Sequence, residues 1–279
     1  MTMTEFPPHL VQCATCGVER STDGLPDVCP ICADERQYVG EGGQRWVDPA
    51  DFTGRIELTE REPGLWGIDV LDGVGIGQQA KLIVTDGGNV LFDVPGAITS
   101  EAVDAVRRLG DVHGIIASHP HMYGLQSAWS HALGDAPVYV STLDRTWLGY
   151  EPAQLRVWDD TIEIVPGVVA SQPGGHFPGS VVVHWSGRDG AGVVLAGDTM
   201  FVNPDHETVT FMRSYPNHLP LSGAVAERIA AHVGRYEFDR LYGNFRHRLA
   251  SGAREKMFAS ARRHAAWVRG DFDHLTGPG

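Results

Sequence analysis

The chain has 279 residues, enough for one large domain and a small appendage. Apolar residues make up 42 % and charged residues 20 %, a globular rather than a disordered balance. Acidic side chains outnumber basic ones 35 to 22, a formal charge of −13, which argues against nucleic acid or an anionic membrane as main partner and leaves a small-molecule substrate as the expectation. No apolar run approaches the roughly 20 residues of a membrane span. Met1 to Pro8 carry neither a basic start nor an apolar core, so no signal peptide is read, a cytoplasmic location is expected and disulfides are not.

All four cysteines fall early: Cys13-x2-Cys16, twelve residues, then Cys29-x2-Cys32. Two such turns bring two thiolate pairs together and can close a tetrahedral sulfur site. Gly17 permits positive φ after the second cysteine, and Pro30 stiffens the other turn. The segment resembles a rubredoxin-like or zinc-ribbon knuckle pair, through CxxCG at 13–17, CPxC at 29–32 and Tyr38 shortly after. Sulfur ligands alone accommodate zinc or iron; structural zinc is the expectation and an electron-transfer iron the alternative. So short a segment buries little core, so the metal is expected to supply most of its folding energy. Gly40-Glu41-Gly42-Gly43 reads as a linker, which divides the chain into a module over 1–45 and a main domain over 46–279.

Arg55 to Glu62 alternates polar and apolar residues and predicts an edge strand. Lys81–Thr85 and Asn89–Phe92 flank Asp86-Gly87-Gly88, a hairpin signal. Thr99 or Ser100 caps a helix running to Leu109, with Ala102, Val103, Val106 and Leu109 at helical spacing. A short buried strand over His113–Ala117, a helix over Leu125–Leu133 and a strand over Pro137–Val140 follow. The second half reads as strands over 161–164, 168–171, 181–185 and 193–196, with helices over 224–233 and 253–268. Two β-rich halves with interspersed helices predict an α/β layered domain.

Metal-ligand side chains stand just after several of these strands. His119-Pro120-His121 follows Gly114–Ser118, His176 sits in a Gly-rich turn, and Asp198 ends Val193–Gly197. In an extended segment, residues two apart point to one side, so His119 and His121 would grip one ion, with Pro120 holding His119 out of helix. Imidazoles with one carboxylate suit zinc, iron or manganese.

At this point the order of elements resembles the metallo-β-lactamase fold superfamily. Phe92-Asp93-Val94-Pro95-Gly96 looks like its first motif, in which the aspartate supports the site, and Ser118-His119-Pro120-His121 like the start of its HxHxDH motif. Gly175-His176-Phe177-Pro178-Gly179-Ser180 is close to its GHTPGS motif, and Leu195–Thr199 to its fourth. The resemblance spans about 55–245 and implies an αβ/βα sandwich with metal at one edge, preceded here by the four-cysteine knuckle. It departs at Tyr123 and Gly124, where the motif would place Asp and His for a second ion. His247 also lies several residues past the Phe238–Tyr242 strand whose end would carry the closing histidine.

The expectation is therefore a mononuclear site of His119, His121 and His176, with Asp198 as fourth ligand or as an acceptor behind the ligands. A metal-dependent hydrolase of an ester, lactone, thioester or phosphoester is the leading reading. Tyr123 either donates to a developing oxyanion or packs as an aromatic at the rim. Arg213 and His218, in the loop after Asn203-Pro204-Asp205-His206, are candidates for binding substrate, against the alternative of a satisfied surface loop. A non-haem iron redox protein or oxygenase using His119, His176 and Asp198, and a non-catalytic metal-binding member of the fold, are the competing readings.

Overall fold

A computed structural model describes residues 6–277. Two sheets face one another. The first has seven strands in the spatial order Leu155–Trp158, Val138–Ser141, Val112–Ile116, Asn89–Phe92, Gln79–Ile83, Leu65–Leu71 and Arg55–Glu62. Its first four strands run parallel and the remaining pairings are antiparallel. The second has six, in the order Thr161–Val165, Val168–Ser171, Val182–Trp185, Val193–Gly197, Arg240–Gly243 and Arg248–Leu249.

Side-chain alternation explains the layering. In Asn89–Phe92, Val90 and Phe92 point between the sheets, where they join Ile116, Val168, Val183 and Leu195. Leu91 points outward, under the helices Ser100–Arg108 and Gln126–Ala132, with Val103, Val106 and Trp129. The second sheet repeats this: Val193 and Leu195 face inward, while Val194 and Ala196 face the helices Gly223–Val233 and Ala253–Val268. Both faces of each central strand are buried, so these strands read as continuous apolar runs in the sequence. The result is the αβ/βα sandwich implied by the resemblance.

The cysteine segment does not stand apart. Glu19–Ser21, Leu10–Cys13 and Trp46–Val47 form a three-stranded sheet, so the division expected between 45 and 46 falls just before a strand that pairs with Gln12 and Cys13. Cys13, Cys16, Val18 and Ile31 share one core with Ile68, Val94 and Trp129 of the main sandwich. Backbone bonds stitch the two together: Glu19 N–H donates to the Gly124 carbonyl (2.9 Å) and Ser21 N–H to the Gly149 carbonyl (2.8 Å). The Glu19 carboxyl group, 2 % exposed, accepts from Ser127 N–H (2.8 Å) and Ser127 Oγ (2.6 Å) in the first turn of Gln126–Ala132. The glycine-rich stretch at 40–43 is an exposed turn closed by Gly43 N–H on the Gly40 carbonyl.

Candidate metal centre

The strands Asn89–Phe92, Val112–Ile116 and Val193–Gly197 end at the same edge of the sandwich, and the candidate residues follow them. Asp93, with φ of 60°, turns back so that Oδ1 accepts from Ser118 N–H at 2.7 Å, and its own N–H donates to the Ile116 carbonyl. That fixes the segment leading into His119. Burial pushes the Asp93 carboxyl up to about 6, and the buried Lys81 ammonium, which donates to the Gln79 and Gly243 carbonyls, works against the rise.

His119 and His121 differ from the expected extended pair. His119 is extended (φ −171°), but Pro120–Met122 form one 3-10 turn, which Pro120 opens at its first position. The turn still carries both rings to one side. Ring centroids lie 5.0 Å apart for His119 and His121, 4.8 Å for His119 and His176, and 5.3 Å for His121 and His176. Asp198 Oδ2 is 3.6 Å from His119 Nε2. One ligand atom from each of the four falls within 4.8 Å of the others. Gly197 makes the approach possible, because its φ is +54° and a Cβ there would collide with the Ser118 side chain.

The hydrogen bonds orient the imidazoles. His119 Nδ1 is 2.9 Å from Ser118 Oγ, and His176 Nδ1–H donates to the Met212 carbonyl at 3.2 Å, so the Nε2 atom of each faces the cluster. Burial, and then the neighbouring His176, hold His119 and His121 well below the usual imidazole range; His176 is lowered to about 4, mainly by burial. Burial and the Asp93 charge push Asp198 up to about 7. His119 Nε2, His121 Nε2 and Asp198 Oδ1 are buried with no partner, as are Thr199 Oγ1 and both amide atoms of Asn244. Unpartnered buried polar atoms are costly, and their concentration around four convergent ligands fits a site built for a cation.

The four cysteines form a second group of the same kind. All are buried and unbridged, with Cys13 Sγ 3.6 Å from Cys32 Sγ and Cys16 Sγ 3.9 Å from Cys29 Sγ. A tetrahedron with metal–sulfur bonds of about 2.3 Å has edges of about 3.8 Å, so the spacing fits a metal rather than disulfides.

Three candidates lie elsewhere. Tyr123, 3 % exposed, packs among Met122, Leu125 and Cys16, and its hydroxyl donates to the Asp144 carbonyl at 3.1 Å. Burial raises its phenol well above the ordinary range, so it is a neutral core group with its proton engaged, not a donor to substrate. Arg213 pairs with Glu35 of the cysteine segment at 2.7 Å and does not line the cleft. His218 is exposed in the turn between Met212–Ser214 and Leu219–Pro220. Gly124 has φ of +51°, and a Cβ there would strike the Val94 carbonyl oxygen, so the space for a ligand side chain is filled by backbone.

A cleft of about 450 Å³ opens beside the histidines. Ile76, Phe201, Pro216 and Phe245 give it apolar walls, and Arg36, Gln37, Arg246 and His247 add polar groups. Arg36 and Gln37 come from the cysteine segment and escaped the sequence reading. Gln37 Nε2 is 3.1 Å from His121 Nδ1, and the Arg36 guanidinium lies 3.9 Å over the Phe177 ring, which itself abuts all three imidazoles.

No protein-family model matches the sequence. An uncharacterized protein of Bacillus subtilis (strain 168), YmaE, is 36 % identical over 269 residues, covering 94 % of this chain and 98 % of its own length. The chain belongs to the YmaE family. Among solved structures, this YmaE-family chain resembles the metallo-β-lactamase FIM-1 from Pseudomonas aeruginosa in its mono-zinc form, with a TM-score of 0.57 and 14 % identity over 75 % of this chain and 96 % of that one. A metallo-β-lactamase from Hirschia baltica gives a TM-score of 0.56 and 18 % identity over 75 % and 97 %. The fold is therefore that of the metallo-β-lactamases. Among the described residues no helix is long and apolar enough to cross a membrane.

Proposed function

We propose that the chain is a mononuclear metal-dependent hydrolase, with zinc at the histidines, acting on an ester, lactone, thioester or phosphoester of a small molecule in the adjoining cleft. The observation that carries this reading is the convergence of His119, His121, His176 and Asp198, with His119 Nε2 and Asp198 Oδ1 buried and unpartnered. A divalent cation bound there supplies Lewis acidity and a water activated at a pKa of about 7. The imidazoles are kept neutral by burial, so they present lone pairs at neutral pH without first losing a proton. Ser118 and Met212 hold the ring orientations, and Asp93 holds Ser118. The Asp198 carboxylate gains from any cation that offsets its burial and the nearby Asp93. Ile76, Phe201 and Phe245 suit an apolar acyl or aryl portion of the substrate. A single ion is favoured because Tyr123 is turned to Asp144 and Gly124 offers neither a side chain nor room for one. At the cysteines a second zinc serves the fold.

The test is elemental analysis combined with hydrolysis of an aryl ester, a lactone and a phosphodiester. The wild-type chain is expected to hold one ion at each site. His119→Ala and His176→Ala keep the cysteine-bound ion and lose the other, together with turnover. A wild-type chain carrying only the cysteine-bound ion, or turnover that survives both substitutions, refutes the proposal.

A further inference from the structure

A hydrolytic centre gains from a hydrogen-bond donor where negative charge develops on oxygen, beside what a metal ion supplies. Tyr123 does not supply one, since its hydroxyl is buried against the Asp144 carbonyl. A donor-bearing side chain that both reaches a histidine and borders the cleft comes from the cysteine segment. Gln37 Nε2 lies 3.1 Å from His121 Nδ1, which is itself 3.4 Å from His176 Nε2. An ion held by these nitrogens would take the His121 lone pair that the carboxamide now uses and would leave the carboxamide at the border of the cleft.

The backbone that carries Gln37 is clamped. Its N–H donates to the Asp34 carbonyl at 3.0 Å, its carbonyl accepts from Asn217 Nδ2, and the Arg36 carbonyl accepts from Ser214 Oγ at 3.2 Å. Stacking of Arg36 on Phe177 fixes the preceding residue. The side chain is held by its contact with His121 and borders the cleft. With that lone pair given to an ion, the amide hydrogens would be available to an oxygen of a molecule in the cleft.

We propose that Gln37 is a catalytic residue of the histidine site, whose carboxamide donates a hydrogen bond to the oxyanion of the bound acyl or phosphoryl group. The cysteine module thereby supplies part of the active site. The inference rests on the proposed metal at the histidines, and its test separates the two.

The full chain is loaded with zinc at the cysteines and cobalt at the histidines, and the visible spectrum of the cobalt is followed while acetate, and separately inorganic phosphate, is titrated in. Gln37→Ala and the near-isosteric Gln37→Glu, which replaces the donor with an acceptor, are compared with wild type for cobalt content and thermal midpoint. Both variants are expected to retain cobalt and melt like wild type, yet bind the anion at least about tenfold more weakly. In hydrolysis, kcat is expected to fall by about 100-fold with KM nearly unchanged. A Gln37→Ala chain that binds the anion within about twofold of wild type overturns the proposal, and so does a cobalt-loaded wild type that binds neither anion. If anion binding depends on Gln37 but no substrate is hydrolysed, the hydrolase reading falls and the donor stands. If the histidine site takes no cobalt, both fall.

Discussion

Gly124→Ala is the sharpest probe of the closed space on which the proposal of a single ion rests. An L residue at a φ of +51° pays about 1–2 kcal/mol for the left-handed conformation. The added Cβ would also strike the Val94 carbonyl oxygen and lie 2.8 Å from that of Pro95. Neither neighbour is a flexible side chain that can swing away. Val94 N–H donates to the Met122 carbonyl, and the Pro95 carbonyl accepts from Leu125 N–H, so moving the 94–95 backbone disturbs bonds on both sides. Overpacking of this kind adds about 1–3 kcal/mol. A total of about 2–5 kcal/mol corresponds to a fall in Tm of about 3–9 °C for a chain of this size. Thermal and urea unfolding followed by circular dichroism measure it. The double substitution Tyr123→Asp/Gly124→His, which restores the side chains of the HxHxDH pattern, is expected to be no more stable and to bind no additional ion. An alanine variant within about 1 kcal/mol of wild type, or a folded double variant holding an extra ion, would show that the space is not closed as argued.

Three further outcomes follow from the same geometry. Tyr123→Phe should cost about 1 kcal/mol through the lost bond to Asp144 and leave metal content and turnover unchanged; a large fall in kcat at full metal content would restore the phenol to catalysis. Glu19 makes stability depend on pH. Burial pushes its carboxyl from 4.5 up to about 8, so between those values the folded chain holds a proton that the unfolded chain has released. Its stabilising effect is full below 4.5 and is lost as pH rises toward 8, by a few kcal/mol, and Glu19→Gln should flatten that slope in urea titrations between about pH 5 and pH 8; identical slopes in the two proteins would refute it. Cys32→Ser should remove the cysteine-bound ion and lower the unfolding midpoint of the whole chain in a single transition, because the cysteines share a core with Ile68, Val94 and Trp129; two separated transitions would mean that the module folds independently.

What the sequence made legible is what local chemistry decides. Thr99 caps Ser100–Arg108 by accepting from Ala102 N–H, as its position before a periodic apolar stretch predicts. Strands buried on both faces, such as Val193–Gly197, announce themselves as apolar runs, and the ligand residues at their ends followed from that. Leu65–Leu71 was not legible, since Gly67 and Asp69 interrupt both alternation and apolar continuity, and the strand is fixed by pairing on each side. The turn at Pro120–Met122 replaced the extended pair because proline suits the first position of a helical turn as well as it suits an extended residue before it. Arg213 illustrates the deeper limit. Its composition suits an anionic substrate, but its partner is Glu35, 178 residues earlier, and only the tertiary fold brings them together. A separation of 84 residues likewise hid Gln37 from His121.

The departures at 123 and 124 and the presence of the cysteine module have a common physical account. The positions that would hold a second ion's ligands form the surface on which the module docks. Gly124 brings its carbonyl to Glu19 N–H and its Cα against the 94–95 backbone, and neither approach leaves room for an imidazole. Tyr123 packs in the core that also contains Cys16, and Ser127, one turn on, binds the Glu19 carboxyl group. Replacing Tyr123 by a charged carboxylate would place an unpaired anion in that apolar core, a cost of several kcal/mol. The docked module then extends Asp34–Gln37 to the opposite side of the histidines, where Asn217 and Ser214 receive it. The rim at 123–124 thus serves as an anchor for the module, while the other rim carries Arg36 and Gln37. The zinc proposed at the cysteines would then support the shape of the cleft through Asp34–Gln37.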